Sequence, residues 1–456
     1  MSTLRADRAI PLTPADCFLR AVDLEIRRCN GASHNSQLVL RLGPGFDAKA
    51  FASLVGEAAA SHPILRAEIV RPFGVGAPVY RTSGAPRPEL PTITIHERPS
   101  PRAPEEAMAL PAWADRINEP FDARHGDLLR IDLVPWDGGR AGTDLVMTWV
   151  HMLFDGSGSE NFLRWLDECF RGERKPNELP SDEFGAADPS APARPADPIG
   201  ERGRRAQEWV ARLDGFAEHP PRSLAGPISH VRQALRHRVL RFDRDETAGI
   251  VAEAARRAGV LTPMLFYLAA TIRAHDAVFR ARGAVPESYV IPLPVDLRPR
   301  GAERAIFRSH VSLFWFQVLP DQVGDFSTLL ETLKLQRRES IKGQMVENSR
   351  AAMEFARMAP ARLYAHMARR NFGGELCSFF FAYTGEFLSG LDRFFGSEIE
   401  DGYHVAPVPA SPGSCAAMSL RNGRLGVTHV HQAGLFGAGE LDVFDRQLRA
   451  DLLGGA

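Results

Sequence analysis

The segment HMLFDG at residues 151–156 contains the side chains best suited to chemistry. His151 follows a run of apolar and β-branched residues that predicts a buried strand, and rigid scaffolds present reactive groups at strand ends. A neutral imidazole, with an ordinary pKa of about 6.5, is suited to take a proton at neutral pH. Asp155, followed by Gly156, can turn its carboxylate back under the turn and fix the loop if a cation meets it. We expect Gly156 to allow the turn a positive φ.

The neighbouring elements must position His151. The stretch from Leu145 to Val150 predicts the strand that precedes it, and Leu129 to Val134 predicts a second strand. Ser157, followed three residues later by Glu160, is a capping-box signature and predicts a helix directly after the turn. A histidine in such a place can also be a core side chain bonded only to backbone. The short HxxxDG pattern alone leaves both interpretations open.

Strands and helices alternate along both halves of the chain, which predicts an α/β protein with mixed sheets. Further strands are predicted at residues 37–42, 66–70, 92–96, 235–242, 289–293, 311–319, 378–383 and 424–431. Further helices are predicted at residues 47–60, 201–213, 246–257, 263–280, 326–372 with breaks, and 439–453. Six prolines between residues 176 and 198 predict an extended linker, residues 176–200. It would separate an N-terminal domain, residues 1–175, from a C-terminal domain, residues 201–456.

Composition excludes several classes of function. The chain has 55 basic and 56 acidic residues, so it lacks the net positive charge of a dedicated nucleic-acid binder. Its five cysteines are scattered without disulfide or zinc spacing, and we expect no metal site and a reducing, cytoplasmic compartment. The N-terminus has no apolar signal core. The most apolar stretch, residues 260–272, is too short to span a bilayer and predicts a core helix.

The motif at residues 151–156 resembles that of the thioester-dependent acyltransferases related to chloramphenicol acetyltransferase. This superfamily includes the condensation domains of nonribosomal peptide synthetases and alcohol acyltransferases. Its reactive histidine matches His151, whereas Val150 stands where the HHxxxDG form has its first histidine. Other segments resemble the family in order and spacing: HPILR at 62–66, EPFD at 119–122, GDLLR at 126–130, PVDLRP at 294–299, and the closing strand and helix after Asn422.

This resemblance implies two α/β lobes arranged in a V, with a tunnel between them and His151 midway along it. His151 would be the general base. Asp155 would point away from the tunnel and pair with an arginine, for which Arg298 is the best match. Tyr383 and Thr384, in the segment that matches the family's crossing strand, are candidates for oxyanion or substrate contacts. No bound cofactor is implied, because acyl-CoA or an acyl-phosphopantetheinyl carrier protein is the co-substrate.

The first function predicted is a free-standing acyltransferase that transfers an acyl group from such a thioester to a small-molecule alcohol or amine. Because no nucleophile accompanies His151 in the motif, we expect direct transfer. One alternative is amide-forming condensation between carrier-bound partners in nonribosomal peptide or polyketide biosynthesis, a branch of secondary metabolism. Another is an inactive module that recruits a partner, against which the retained His151 argues. We find no match to the glutamate motif of the epimerase branch.

Overall fold

A computed structural model of the protein describes residues 8–29, 32–71, 76–82, 89–96, 115–181, 184, 198–226, 234–298, 304–409 and 411–454. The strands are β1 (Arg8–Pro11), β2 (Asn35–Leu42), β3 (Glu68–Val70), β4 (Val79–Thr82), β5 (Thr92–Ile95), β6 (Leu129–Pro135), β7 (Thr143–Val150), β8 (Leu235–Arg241), β9 (Tyr289–Asp296), β10 (Val311–Val318), β11 (Phe380–Glu386), β12 (Arg393–Phe394), β13 (Ser397–Val405), β14 (Ser414–Arg421) and β15 (Arg424–Gln432). The helices are α1 (Pro14–Cys29), α2 (Ala48–Ser61), α3 (Gly156–Phe170), α4 (Ile199–Phe216), α5 (Arg244–Ala258), α6 (Met264–Ala281), α7 (Phe326–Lys342), α8 (Met345–Ala356), α9 (Ala361–Arg370) and α10 (Glu440–Leu452).

The largest sheet combines strands from distant parts of the chain, in the order β12-β13-β2-β7-β6-β5. Its central strand β2 pairs with β7 on one side and with β13 on the other, so that Gln37 lies opposite both Thr148 and Val405. Every residue of β7 is buried, as expected for a strand inside a sheet that is covered on both faces. The predicted C-terminal domain therefore contributes β12 and β13 to a sheet of the predicted N-terminal domain.

A second sheet, in the order β11-β14-β15-β8, and the β9-β10 hairpin belong to the C-terminal half. Helix α6 packs in the core of this half, and its residues from Leu265 to Ile272 are all buried. A helix that is apolar almost all round must be buried on all sides. This confirms a core helix within the predicted stretch 260–272, although the helix begins only at Met264, and Val260 and Leu261 are exposed. The N-terminal half has its own core, in which Phe51 and Val55 of α2 are fully buried.

Helix α1 is absent from the predicted elements, although its start carries a local signal. Asp16 N donates to Thr13 Oγ1 at 3.0 Å, and Thr13 N donates to Asp16 Oδ2 at 3.0 Å, which together form a capping box. Ser309 N also donates to Asp16 Oδ1 at 2.9 Å. Burial raises the pKa of Asp16 to about 7, against these hydrogen bonds. The start of α1 is thus tied to a loop from the other half of the chain.

Most of the predicted linker, residues 182–183 and 185–197, lies outside the described residues. The linker and the two domain boundaries remain predictions. Cys17, Cys169, Cys377 and Cys415 are free thiols. Within the described ranges, no helix combines the length and apolar character needed to cross a bilayer. The same ranges contain no group of three His, Cys, Asp or Glu side chains that could hold a metal ion.

Candidate functional site

The turn that carries His151 begins where β7 ends. His151 N donates to His34 O at 3.0 Å, which extends the pairing of β2 and β7 by one residue. Leu153 N donates to Val150 O at 2.8 Å and closes the turn. The chain then enters α3 at Gly156. The strand and the helix, both rigid, hold the turn from its two ends.

One ring nitrogen of His151 is occupied by the turn itself. Its Nδ1 lies 3.1 Å from the Phe154 carbonyl oxygen, and a carbonyl can only accept, so Nδ1 carries the proton. Trp149 Nε1 donates to the same oxygen at 2.9 Å and fixes its position. Burial lowers the pKa of His151, while the Phe154 carbonyl and Asp155 oppose this shift. His151 is therefore neutral at pH 7, and its Nε2 has a free lone pair.

His151 lines a cavity of about 150 Å³ between the two halves of the chain. His34 lies beside it, with the two ring centroids 5.2 Å apart in an edge-to-face arrangement. The cavity wall is otherwise largely apolar and is built by both halves, for example by Phe18, Leu19, Val22, Leu313, Phe380 and Cys415. Such a wall can accommodate an apolar molecule beside the two imidazoles.

Asp155 is buried and accepts four hydrogen bonds. Its Oδ1 accepts from Gly158 N at 2.7 Å and from Arg298 Nη2 at 2.9 Å, while its Oδ2 accepts from Arg298 Nη1 at 2.9 Å and from His310 N at 2.8 Å. Burial alone would raise the pKa of Asp155, but the Arg298 charge and these hydrogen bonds hold it below its ordinary value. The residue is a fixed carboxylate outside the cavity wall.

The structure thus brings together Asp155 and Arg298, the pair that the resemblance implied. Their side chains are only 5% and 8% exposed, and the two parallel hydrogen bonds give the bidentate geometry that arginine forms with a carboxylate. Arg298 Nε also donates to Ala305 O at 3.0 Å, and Nη1 donates to Asp296 Oδ1 at 3.1 Å. The guanidinium is therefore locked in place at the end of β9.

Two expectations about the start of α3 are wrong. Gly156 does not adopt a positive φ, because it is already the first residue of the helix. Ser157 is not the cap, since the Asp155 carboxylate takes that place by accepting from Gly158 N. The carboxylate of Glu160 instead accepts from Leu388 N at 2.7 Å, and burial raises its pKa to about 7.

The glycine required at this turn is Gly158. A Cβ there would overlap the Ile306 carbonyl oxygen and lie 3.2 Å from Arg298 Nη2. Only a residue without a side chain lets the loop around Ile306 approach so closely.

Tyr383 and Thr384 are placed less favourably for the oxyanion or substrate contacts that the resemblance implied than Asp155 and Arg298 are for their pairing. Both lie on β11, but the cavity wall is formed by the residues that precede them, Phe380 to Ala382. The Tyr383 ring stacks on Tyr267 with centroids 4.8 Å apart, and burial raises its pKa. Thr384 Cγ2 lies 4.0 Å from the place where a Cβ on Gly156 would sit. Thr384 is thus close to the turn, whereas Tyr383 is engaged in the core of the C-terminal half.

Sequence reasoning missed His34 and the segment from Arg308 to His310. Arg308 N donates to Leu153 O at 2.7 Å, and Ser309 Oγ lies 3.4 Å from His151 O. With the His310 contact to Asp155, this segment lies along the whole turn. No local sequence pattern predicts such contacts, because they join residues more than 150 positions apart. His34 had a weaker signal, since it lies three residues before the strand predicted at 37–42.

We predict that Gly158→Ala destabilises the protein by about 2 kcal/mol or more, because the added Cβ overlaps backbone that cannot move freely. Gly156→Ala is the matched control, since its Cβ would meet its nearest neighbour only at 4.0 Å. It should change the free energy of unfolding by less than about 1 kcal/mol. Chemical denaturation measures both. Equal effects of the two substitutions would contradict the close approach at Gly158.

We also predict that Asp155→Asn and Arg298→Gln each lower stability by about 3–5 kcal/mol, because each leaves a buried charge uncompensated. The double variant should be less destabilised than the sum of the two, by more than about 1 kcal/mol. The exposed pair Asp137 and Arg140, 3.5 Å apart, is the control and should show almost no coupling. Denaturation of all the variants measures the coupling, and strictly additive effects at Asp155 and Arg298 would rule it out.

By sequence, the chain matches no family model and no curated protein. Its structure, however, resembles solved structures over almost its whole length. The trichothecene 15-O-acetyltransferase TRI3 from Fusarium sporotrichioides has a TM-score of 0.72 at 12% identity, covering 99% of this chain and 97% of that one. The first condensation domain of the CDA synthetase has a TM-score of 0.69 at 16% identity, covering 98% of this chain and 96% of that one.

A third similar structure is the starter condensation domain of rhizomide synthetase, a mutant in complex with C8-CoA and Leu-SNAC. Its TM-score is 0.65 at 14% identity, covering 97% of this chain and 94% of that one. Identities this low show the fold alone. The chain has the two-lobed α/β fold of condensation domains and chloramphenicol acetyltransferase-like acyltransferases, as its motifs implied.

Proposed function

We propose that this protein is an acyltransferase that moves an acyl group from the thioester of CoA or a carrier protein to a hydroxyl or amine of a small molecule. One observation carries the proposal. His151 donates its only proton to the Phe154 carbonyl, so a bare Nε2 remains on a residue that lines the cavity between the two halves. A positioned neutral imidazole is the group that a thioester acyl transfer needs as a base.

The proposed reaction is a direct attack. The acceptor oxygen or nitrogen forms a bond to the thioester carbonyl carbon while its proton passes to His151 Nε2. The resulting tetrahedral intermediate expels the thiolate, which takes the proton back from the imidazolium and leaves as a thiol. The Phe154 carbonyl keeps Nδ1–H oriented throughout and favours the protonated ring while it exists.

Two other reactive groups near the cavity, Asp155 and Cys415, do not suit the role of nucleophile or base. Asp155 has its carboxylate engaged by four donors and lies outside the cavity wall. Cys415 lines the cavity, but burial raises the pKa of its thiol to about 12, so the reactive thiolate is scarce at neutral pH. This favours direct transfer within a ternary complex over an acyl-enzyme intermediate.

More specifically, we propose that the acceptor group is a hydroxyl and that the donor is an acyl-CoA. The names of two structures with this fold, an O-acetyltransferase and a domain in complex with an acyl-CoA, support this choice by analogy of fold. The chemistry uses the thioester as a co-substrate and calls for no resident cofactor. Thr384, whose methyl group lies near Gly156, remains the nearer of the two candidates for an oxyanion or substrate contact. A cytoplasmic location remains a prediction from the cysteine pattern.

The first prediction of this proposal concerns His151→Ala, which should lower kcat by two to four decades, the contribution of a general base. Thermal unfolding should change little, because His151 holds the turn mainly through its backbone. The exposed histidine of α9, His366, provides the control substitution His366→Ala. Turnover is measured by mass spectrometry of products formed from acyl-CoAs and pooled alcohols and amines. Near wild-type turnover by His151→Ala, or an acylated protein during turnover, would contradict the mechanism.

The second prediction concerns pH. A base works in its unprotonated form, and burial lowers the pKa of His151 below its ordinary value of 6.5. The value of kcat/KM should therefore be flat from pH about 8 to about 7 and fall with a single ionisation only at lower pH. His34 and His404, which face the same region, also have lowered pKa values and remain neutral over the plateau. A fall that begins above pH 7 would contradict the assignment.

A further inference from the structure

We propose that His34 is a second substrate-binding histidine of this site and that it accepts a hydrogen bond from the acceptor molecule. The acceptor would then carry two adjacent donor groups, such as neighbouring hydroxyls, on an apolar frame. One group would react at His151 and the other would bind His34. This inference rests on the proposed function and names its class of acceptor.

The position of His34 is tightly defined. Its backbone N–H donates to Asp23 Oδ1 at 2.8 Å, and its carbonyl accepts from His151 N at 3.0 Å. The residue is 5% exposed and lines the same cavity as His151. The backbones of His34 and His151 are bonded to each other, and their rings meet edge to face with centroids 5.2 Å apart, so both imidazoles belong to the same part of the cavity wall.

The chemistry of the His34 ring defines what it can bind. Burial lowers the pKa of His34 well below 6.5, and the neighbouring His151 lowers it further. A neutral imidazole has one N–H and one bare nitrogen, and the Leu19 carbonyl, which hydrogen-bonds this ring, can take only the N–H. Nδ1 is buried without a hydrogen-bond partner. It is left as an acceptor, so a ligand that satisfies it must be a donor.

Other buried histidines do not combine a place in the cavity wall with an Nδ1 that lacks a hydrogen-bond partner. His310, His404 and His429 also have an Nδ1 without a partner, but none of them lines the cavity. Within the described residues, the cavity and the unpaired nitrogen coincide at His34. Leaving a buried acceptor unpaired costs free energy that a suitable ligand recovers on binding.

The cavity wall indicates the character of the rest of the acceptor molecule, beyond its two donor groups. Side chains such as Phe18, Leu313 and Phe380 offer no partner for a charged group, whose desolvation would then be uncompensated. These apolar side chains suit an acceptor molecule whose carbon skeleton is compact and apolar. A molecule with a single hydroxyl would satisfy His151 but leave His34 unpaired. A site built around a buried acceptor discriminates against ligands that lack the matching donor.

The test compares a cyclohexanediol with adjacent hydroxyls and cyclohexanol, with acetyl-CoA as donor and intact protein. The wild type should acylate the diol with a kcat/KM about tenfold higher than that for the mono-alcohol, the value of one hydrogen bond. In His34→Phe, which keeps a ring but removes the acceptor, the ratio should fall to about one. In His34→Asn, which retains an acceptor at a similar place, the preference should persist. The control His366→Phe, at the exposed histidine of α9, should keep the wild-type ratio.

A ratio is used because a merely structural loss would lower both rates together. Equal rates for the two alcohols in the wild type, or a diol preference that survives in His34→Phe, would overturn the proposal. The wild-type comparison decides even if His34→Phe does not fold.

Binding separates this inference from the proposed function. Titration calorimetry of the resting protein with each alcohol needs no catalysis, and the diol should bind about tenfold more tightly than cyclohexanol. If no acceptor is ever acylated, the proposed function fails while the ratio of dissociation constants still decides the role of His34. If both alcohols are acylated and bound equally well, the role of His34 is refuted and the acyltransferase proposal stands.

Discussion

The buried carboxylate of Asp155 is the interaction on which the rest of the site depends. It caps α3 through Gly158 N, neutralises Arg298 at the end of β9, and accepts from His310 N in the loop beyond. A charge out of water is tolerated only when its partners are complete. The turn between β7 and α3 is therefore positioned jointly by both halves of the chain. The four-residue spacing of the motif puts the acid at the helix cap and leaves His151 at the strand end.

Local signals predicted most of the regular elements. The predicted strands at 145–150 and 129–134 and the helix after the turn correspond to β7, β6 and α3. Strand β13 was missed because its sequence, SEIEDGYHV, alternates charged residues and contains a glycine, and β14 because small residues dominate SCAAMSLR. Both are strands through pairing with distant partners, which overrides local preference. The start of α1 was also missed, although its Thr13 and Asp16 cap was readable.

In the site, too, local motifs identified some residues, whereas other features depend on contacts between distant segments of the chain. His151, Asp155 and Arg298 were identified from motifs, and the last two meet in the structure. The cap of α3 is a local feature, because Asp155 accepts from Gly158 N three residues on and Asp is a preferred N-cap residue, so the sequence could have shown it. Which glycine is indispensable could not be foreseen, because that depends on how closely the loop at Ile306 approaches Gly158. His34 reaches the cavity only through the register of β2 against β7, and single-residue register is not readable from one strand alone.

The placement of β13 beside β2 has a consequence for synthesis of the chain on the ribosome. β2 ends at residue 42, whereas its partner β13 ends at residue 405. Until translation has passed that point, one side of β2 presents unpaired backbone groups next to a run of leucine and valine. Such an open edge is a template for pairing with other chains. The nascent protein thus has a long interval in which chaperone protection of β2 would favour its yield.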